Sequence, residues 1–176
     1  MDIDFGVPAS NLKQFGLGST LHVADLGAGS GHYTRALSGM LSEGKVYAIE
    51  VQKEILERLK NDLSREGKTN VEYIWANIEK MGGTKLADNS LDAVVISNVF
   101  FQIEDKVTFI KEVKRILKPK GRILLIDWSG SFGGMGPTSE SVVTEDSARS
   151  LFENNGFVFE KNINAGANHW GMVLVK

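Results

Sequence analysis

The chain has 176 residues, a length that suits one domain with a sizeable core, so we predict a single domain over residues 1–176. Its formal net charge of −2 disfavours nucleic acid as a partner, because a phosphate-binding surface requires a basic excess. The absence of cysteine excludes disulfides, thiolate nucleophiles and thiolate metal ligands.

The N-terminal sequence, Met1-Asp2-Ile3-Asp4, is acidic. A signal peptide begins with a basic region instead, and no apolar run in the chain reaches membrane-spanning length. We therefore expect a cytoplasmic protein without a membrane span. Residues 1–20 are predicted to be a short N-terminal segment, with a helix that begins near Pro8 and ends at Gly16.

The first strong motif joins a strand to a helix through a glycine-rich turn. Residues 21–26 form an apolar run, Gly27, Gly29 and Gly31 follow at alternate positions, and residues 33–41 have helical periodicity. Glycine permits positive φ and the close approach of a ligand, while the start of the helix presents free N–H groups and a positive dipole end. The pattern predicts a ligand with an anionic or electron-rich group.

The spacing of these glycines differs from the dinucleotide-binding pattern G-x-G-x-x-G. Counting from Gly27 places His32 at the last glycine position, and counting from Gly29 places Thr34 there. An oxidoreductase with a nucleotide cofactor therefore remains an alternative that lacks its usual motif.

A second predicted strand, residues 45–51, carries Glu50 near its C-terminal end. In open parallel sheets ligands bind beyond the carboxyl ends of the strands, and a carboxylate there can accept hydrogen bonds from both hydroxyls of a ribose. Glu50 follows Gly31 by 19 residues, which is the interval expected for that role.

Strands and helices continue to alternate as far as residue 127. Hydrophobic periodicity predicts helices at 52–65 and 106–117 and strands at 71–75, 91–97 and 122–127. Parallel neighbours require crossover helices, so the alternation favours an α/β fold with a doubly wound, mostly parallel sheet and helices on both faces.

The motif Asp25-x-Gly27-x-Gly29-x-Gly31 resembles the first motif of the class I S-adenosylmethionine-dependent methyltransferases. Residues 116–122, with the sequence ILKPKGR, are similar to the segment before strand five in the ubiquinone/menaquinone-biosynthesis branch of that family. They also predict a helix end and a turn at positions 118–121. The resemblance covers the chain from Asp25 to this segment. It implies S-adenosylmethionine as the cofactor and a small-molecule substrate that is methylated at carbon or oxygen.

This resemblance also implies which residues contact the cofactor. Asp25 and the glycine turn would hold the methionine end, and Glu50 would hold the ribose. Asn77 occupies a place where the family commonly has Asp, and its amide oxygen would accept from the adenine amino group, while Ile78 would lie against the adenine ring. The predicted cofactor-binding residues are Asp25, Gly27, Ala28, Gly29, Gly31, His32, Glu50, Val51, Asn77, Ile78, Ser97 and Asn98.

The family places residues around the methyl acceptor at the exits of its fourth and fifth strands. No proline follows Asn98, which argues against the Asn/Asp-Pro-Pro-aromatic motif of methylases that modify exocyclic amines. Residues 128–143 are rich in Gly and Ser and predict a flexible loop over the acceptor site, since long loops in compact domains are usually functional or disordered. The predicted acceptor pocket consists of Phe100, Asp127, Trp128 and Met135.

At the C-terminal end, Thr144 is predicted to cap a helix that runs to Asn155. Residues 157–163 and 169–175 predict two strands close enough for an antiparallel hairpin. The methyltransferase fold implies that the last strand enters antiparallel between its neighbours, which gives a Rossmann-like sheet of seven strands. Such a strand begins at the ligand edge, so His169 is the candidate catalytic base.

Methyl transfer from a sulfonium needs alignment first and a base only where the acceptor must lose a proton. No His or carboxylate ligands stand at a helical ligand spacing, so no metal is expected. Besides the oxidoreductase, a catalytically silent cofactor-binding module stays open because of the departure at Asn77. Since the acceptor site would be shallow, we also predict that a second chain covers it in a homodimer.

Overall fold

The computed structural model describes residues 7–176, so the acidic N-terminal sequence lies outside the described residues. In this part of the chain seven strands form one sheet, accompanied by five α-helices and one 3₁₀ turn. The strands are β1 (His22–Leu26), β2 (Lys45–Glu50), β3 (Val71–Trp75), β4 (Leu91–Ser97), β5 (Leu117–Trp128), β6 (Val158–Ile163) and β7 (His169–Val175). The helices are α1 (Pro8–Phe15), α2 (His32–Met40), α3 (Lys53–Arg65), α4 (Lys106–Ile116) and α5 (Glu145–Asn154), and the 3₁₀ turn is Phe100–Gln102.

The strand order in the sheet is β3-β2-β1-β4-β5-β7-β6. The first five strands pair in parallel, and β7 is antiparallel to both β5 and β6. The predicted fold, including the antiparallel C-terminal strand, is thereby confirmed. The order reverses direction between β1 and β4, and such a switch point is where open α/β sheets bind ligands.

Helices bury both faces of the sheet. Phe109 of α4 and Phe152 of α5 belong to the core on one face, whereas Leu12 of α1 and Leu37 of α2 belong to the core on the other. Leu59 of α3 packs on the β2 strand on that second side. β4 lies between these layers and is nearly continuous in apolar residues, as expected for a strand covered on both faces.

The turn predicted at residues 118–121 is wrong, because this segment belongs to β5. α4 ends at Ile116, and the next residue already pairs with β4. The register between β4 and β5 then shifts between Leu91 and Ala93, and Lys120 has φ +65°. Pro119 and Gly121 thus mark a bulge in β5 and not a turn. The backbone of β5 stays paired there, because the Lys120 N–H donates to the Lys176 carbonyl and the Lys176 N–H donates to the Gly121 carbonyl.

Residues 129–143 form the long loop, and Trp128, predicted as its first residue, is instead the buried last residue of β5. The loop folds back onto this tryptophan. A Cβ on Gly136, where φ is +74°, would lie 2.6 Å from the indole ring, so only glycine allows this contact. Farther along the loop, the Trp170 indole N–H donates to the Val143 carbonyl at 3.0 Å.

The predicted N-terminal helix is present as α1 and ends at Gly16 in a left-handed conformation. It is fastened to the C-terminal hairpin by the side chain of Gln14, which donates to the Asn164 carbonyl at 3.0 Å and accepts from the Asn164 N–H at 2.9 Å. Lys161 also donates to the Gln14 carbonyl, at 2.7 Å. These contacts join the C-terminal end of α1 to the hairpin, while Pro8, at the start of the helix, lies at the ligand edge of the sheet.

Candidate active site

A cavity of about 610 Å³ lies at the carboxyl ends of β1, β2, β3 and β4. This is the switch-point edge of the sheet, so its position is the one that the topology favours for a ligand. Eleven of the twelve predicted cofactor-binding residues line it, namely Asp25, Gly27, Ala28, Gly29, His32, Glu50, Val51, Asn77, Ile78, Ser97 and Asn98.

Gly29 is the glycine of the turn that leaves room for a ligand. Its φ is +52°, and a Cβ built there would meet no protein atom nearer than the Gly27 carbonyl oxygen at 3.9 Å. Since Gly29 also lines the cavity, a side chain at this position would enter the space that the turn keeps open. The turn itself is held to β2 by the N–H groups of Gly27 and Ala28, which both donate to the Ile49 carbonyl at 2.9 Å.

The other two glycines are required by protein packing. A Cβ on Gly27, at φ +79°, would lie 2.8 Å from a methyl group of Val99. A Cβ on Gly31, at φ +82°, would lie 2.0 Å from a methyl group of Leu59. Gly31 is outside the cavity lining, where α3 packs against the start of α2, and its contact with the cofactor stays a prediction.

Glu50 presents a fixed carboxylate at the cavity wall. One oxygen accepts from the Gly29 N–H at 3.0 Å and the other from the Gln52 N–H at 2.9 Å. The residue is 7% exposed. Each carboxylate oxygen keeps a further lone pair, so the pair of oxygens can still accept from two adjacent hydroxyls.

Asp25 is a second carboxylate in the wall and is almost fully buried. Burial raises the pKa of Asp25 to about 6, although the Thr34 hydroxyl, which donates to it at 2.6 Å, acts in the opposite direction. The neighbouring charge of Glu50 adds to the increase. A cationic group bound in the cavity would therefore be stabilised by Asp25 and would favour its ionised form.

The wall beyond β3 is formed by Asn77 and Ile78. The Asn77 amide oxygen accepts from the Glu79 N–H at 2.9 Å, which fixes the orientation of the side chain. The following segment packs directly on this residue, because a Cβ on Gly83 would lie 2.1 Å from the Asn77 carbonyl oxygen. Ile78 is 8% exposed and joins the core beneath the cavity.

Glu112 of α4 holds the segment that follows Ile78 through hydrogen bonds to Gly82 and Thr84. Its fully buried carboxylate accepts from the Gly82 N–H at 2.8 Å and from the Thr84 N–H and hydroxyl at 3.2 and 2.6 Å. Arg115 donates two further hydrogen bonds, each of 2.8 Å. Burial opposes ionisation, but the hydrogen bonds from Arg115 and Thr84 outweigh it and lower the pKa of Glu112 to about 2.

Asn98, at the exit of β4, has a left-handed backbone with φ +57°. Its N–H donates to the Ile126 carbonyl at 3.0 Å, and its carbonyl accepts from the Gln102 side chain at 3.4 Å. The side-chain oxygen is shielded from solvent and has no hydrogen-bond partner among residues 7–176. Asparagine is one of the few non-glycine residues that adopt this conformation readily, and it does so here in the cavity wall.

Several lining residues have no assignment in the sequence analysis. Tyr33 is one of them, and its buried hydroxyl accepts from Asn11 of α1 at 2.8 Å. Burial raises its pKa. The sequence could have identified Tyr33 as a lining residue, because it lies two positions after Gly31. Most of the others reach the cavity through tertiary packing. They are Pro8, Ser30, Ile49, Gln52, Ile55, Ala76, Glu79, Val99, Gln102 and Ile103.

Residues 24–125 match the family model described as a methyltransferase domain. The chain belongs to this methyltransferase family. S-adenosylmethionine is the cofactor of the family, and the open space at Gly29 beside two carboxylates fits it. The methyltransferase family predicted from the sequence is thereby confirmed.

The chain is similar to two curated enzymes. It is 33% identical over 122 residues to the demethylmenaquinone methyltransferase of Lactococcus lactis, a match that covers 69% of this chain and 47% of that one. It is 34% identical over 109 residues to the ubiquinone/menaquinone biosynthesis C-methyltransferase UbiE of Haemophilus ducreyi, covering 61% of this chain and 41% of that one. The chain thus spans less than half the length of these relatives.

A solved structure of similar size is that of a SAM-dependent methyltransferase from Aquifex aeolicus. It has 30% sequence identity and a TM-score of 0.89, and the alignment covers 99% of this chain and 93% of that one. The branch predicted from residues 116–122 agrees with the curated relatives, and the fold agrees with this structure.

The predicted acceptor pocket of the methyltransferase needs correction at Phe100. This side chain is fully buried in the core, with ring centroids 6.0 Å from Phe109 and 5.5 Å from Phe152. The Nζ of Lys106 lies 5.4 Å from the ring centroid. Phe100 is therefore wrong as a pocket residue, because α4 and α5 take up its side chain.

Asp127 is also outside the cavity lining. Its carboxylate accepts from the Phe101 N–H at 2.8 Å and from the Trp128 N–H at 2.9 Å. Burial raises the pKa of Asp127 to about 6. In the structure the Asp127 carboxylate therefore links the segment after β4 to the end of β5 through hydrogen bonds. It does not line the cavity in which the acceptor contact was expected.

His169 and Trp128 pair across β5 and β7, with ring centroids 4.4 Å apart. Both are buried under the loop, where the Phe132 ring lies 6.3 Å from the Trp128 ring. Met135 is 42% exposed on that loop. None of these predicted residues lines the cavity, because the loop packs on Trp128 at the end of β5.

Within residues 7–176, no group of three or more His, Asp or Glu side chains is arranged to hold a metal ion. None of the helices in the same residues has the length and apolar character that crossing a bilayer requires.

Proposed function

We propose that this methyltransferase transfers the methyl group of S-adenosylmethionine to a small-molecule acceptor at carbon or oxygen. The observation that carries the proposal is the fixed Glu50 carboxylate beside the open position at Gly29. Together they provide a ribose site next to a backbone turn that a ligand can approach closely. The curated relatives are named as a demethylmenaquinone methyltransferase and a ubiquinone/menaquinone biosynthesis C-methyltransferase, and these names support a small acceptor for this chain too.

Residues of this chain would hold the cofactor along the β1-β2-β3 side of the cavity. The start of α2 and Asp25 would bind the methionine end, Glu50 the ribose hydroxyls, and Asn77 with Ile78 the adenine. When bound, S-adenosylmethionine supplies an activated methyl group on a sulfonium. The protein then contributes alignment of the acceptor and exclusion of water.

The acceptor would enter on the other side, between the start of α1 and the exit of β4. Pro8, Asn98, Gln102 and Ile103 line this side. His169 lies outside the lining, so the predicted base is not part of this proposal. We expect alignment by the cavity wall to supply most of the catalysis, with the acceptor proton, where one is lost, passing to water.

The test is binding followed by turnover. S-adenosylhomocysteine should bind in calorimetry and NAD should not, and radiolabelled methyl should pass from S-adenosylmethionine to demethylmenaquinone or another member of an acceptor panel. Binding of NAD in place of S-adenosylhomocysteine would contradict the proposal. Binding of S-adenosylhomocysteine without any transfer would favour the catalytically silent module.

Two substitutions test the site itself. Gly29→Val should fill the open space and Glu50→Ala should remove the ribose partner, so each should weaken S-adenosylhomocysteine binding by about tenfold or more. Gly133→Val is the matched control, because Gly133 also has positive φ and open surroundings but lies in the 129–143 loop. Unchanged affinity in the Glu50→Ala variant would remove Glu50 from the site.

The remaining expectations concern assembly and location. We propose a homodimer that covers the acceptor side, a cytoplasmic location and no nucleic-acid partner. The net charge of −2 supports the last of these. Light scattering of the purified chain measures its oligomeric state. A monomer at micromolar concentration would contradict the proposed homodimer.

A further inference from the structure

Glu112 is a fully buried carboxylate that lies outside the cavity lining. In the described part of the chain its five hydrogen bonds come from two places, the Arg115 side chain of the same helix and the turn at residues 82–84. Burying such an ion pair costs more free energy than burying apolar side chains of the same volume. The arrangement therefore gives little net stability for its cost, but it fixes the position of the 82–84 turn.

The 82–84 turn is in close contact with the backbone of Asn77. A Cβ on Gly83 would lie 2.1 Å from the Asn77 carbonyl oxygen and 2.8 Å from the Lys80 carbonyl oxygen. The Gly83 N–H also donates to the Lys80 carbonyl at 2.8 Å. Because these backbones touch, a displacement of the turn would displace Asn77, which is a residue of the cavity wall.

The orientation of the Asn77 amide decides what it can bind. A carboxylate offers two acceptor oxygens, whereas an amide offers one oxygen that accepts and one nitrogen that donates. The Asn77 oxygen accepts from the Glu79 N–H at 2.9 Å, and a flipped amide would place its own N–H groups against that donor. The Glu79 carboxylate is held in turn by the Glu104 N–H at 3.0 Å. The oxygen keeps a second lone pair for a ligand.

We infer that Glu112 is a positioning residue for the base of the cofactor, because it holds the 82–84 turn that keeps the Asn77 amide in place. This rests on the proposed function, which assigns the adenine amino group to the Asn77 oxygen. An oxo group at the same ring position would face that oxygen without a hydrogen bond, since both are acceptors. Glu112 thus determines, through Asn77, the selectivity for an amino base over an oxo base.

S-adenosylhomocysteine and S-inosylhomocysteine provide a matched pair of probes, because the amino group on the base of the first is an oxo group in the second. Calorimetry should show that the unmodified chain binds S-adenosylhomocysteine about tenfold more tightly. In Glu112→Gln the ratio of the two dissociation constants should fall to about twofold, through weaker binding of S-adenosylhomocysteine. A loss of stability alone would weaken both ligands by the same factor and leave this ratio unchanged.

Thr84 offers a second pair of variants that leaves the Glu112 and Arg115 side chains in place, so the test does not depend on the folding of Glu112→Gln. The Thr84 hydroxyl donates to Glu112 at 2.6 Å. Thr84→Val removes this hydrogen bond and should lower the ratio to about threefold. Thr84→Ser keeps the hydroxyl and should retain the ratio of about tenfold, and so should the surface variant Glu153→Gln.

The two proposals fail in different ways. A chain that binds neither probe contradicts the proposed function and this inference with it. An unmodified chain that binds both probes equally well overturns the inference alone, because no selectivity would exist for Glu112 to maintain. An unchanged ratio in both Glu112→Gln and Thr84→Val, or an equal loss in Thr84→Val and Thr84→Ser, also overturns it and leaves the proposed function in place.

Discussion

Gly27, Gly29 and Gly31 stand in one turn, yet a side chain would disturb something different at each position. Gly27 and Gly31 lie against Val99 and Leu59 of the protein itself, and Gly29 faces open space. The sequence predicts the turn because three glycines after an apolar run have few other uses. The sequence cannot show which glycine faces open space and which two face protein atoms, because the residues that Gly27 and Gly31 contact are 28 or more positions away.

Asp25 is the residue whose protonation the cofactor should change. Burial raises its pKa to about 6 from 3.8. Its contribution to stability is thus fully present below about pH 3.8 and is lost as the pH rises through 6. A bound sulfonium or ammonium favours the carboxylate, so we expect about half a proton to be released on binding S-adenosylmethionine at pH 6 and none at pH 8.

Calorimetry in two buffers of different ionisation enthalpy measures this release. The observed heats should differ between buffers at pH 6 and agree at pH 8. Asp25→Asn keeps the shape of the side chain and should remove the difference, which identifies Asp25 as the source of the proton. Buffer-independent heats at pH 6 in the unmodified chain would show that the cation binds elsewhere.

At the scale of elements, α4 fixes the segment after β3 through Glu112. The pKa of Glu112 is lowered from 4.5 to about 2, so its contribution to stability is present above about pH 4.5 and is lost as the pH falls toward 2. We expect Glu112→Gln to lower the free energy of unfolding at pH 7 by about 2–3 kcal/mol.

Urea unfolding at several pH values tests the role of Glu112. The difference between the unmodified chain and Glu112→Gln should shrink as the pH falls from about 5 to 2. Glu153→Gln is the control, because Glu153 pairs with Arg149 on the surface of α5, and it should change the free energy by less than about 0.5 kcal/mol. A loss that is the same at pH 3 and pH 7 would contradict the assignment.

Most elements are predictable because each buries an apolar stripe whose period reveals its type. The exceptions are residues whose structure is determined by distant parts of the chain that pair with them or pack against them. Pro119 and Gly121 look like a turn, but pairing of the chain with β4 and with Lys176 keeps them in β5. Phe100 is predicted to line the acceptor pocket, but α4 and α5 enclose its side chain. Neither neighbour can be read from the local sequence.

For the whole molecule, the sequence indicates five strand and helix alternations, but the order of the seven strands came from resemblance to a family. The cavity residues supplied by α1 could not be predicted. Pro8 reaches the ligand edge because α1 packs in the core through Leu12 and Phe15 and because Gln14 binds Asn164, 150 positions away. The site therefore depends on contacts between the first and last elements described.

Cofactor binding should consequently stabilise the whole fold. Saturation with S-adenosylhomocysteine at 100 times Kd adds about 2.7 kcal/mol to the free energy of unfolding. For a chain of this length we expect Tm to rise by about 5–10 °C in a thermal shift experiment. NAD should give no shift. A rise in Tm of the same size in the Gly29→Val variant would mean that the ligand binds outside the cavity.

The loop from 129 to 143 is held near its ends by Trp128 and Trp170, while Gly133 and Gly134 have no neighbouring atom in the space where a Cβ would lie. Such an unencumbered tip tolerates inserted sequence better than any strand junction. A fluorescent reporter or an affinity peptide placed between these two glycines would lie outside the cavity lining and provide a handle for following the protein in a living cell.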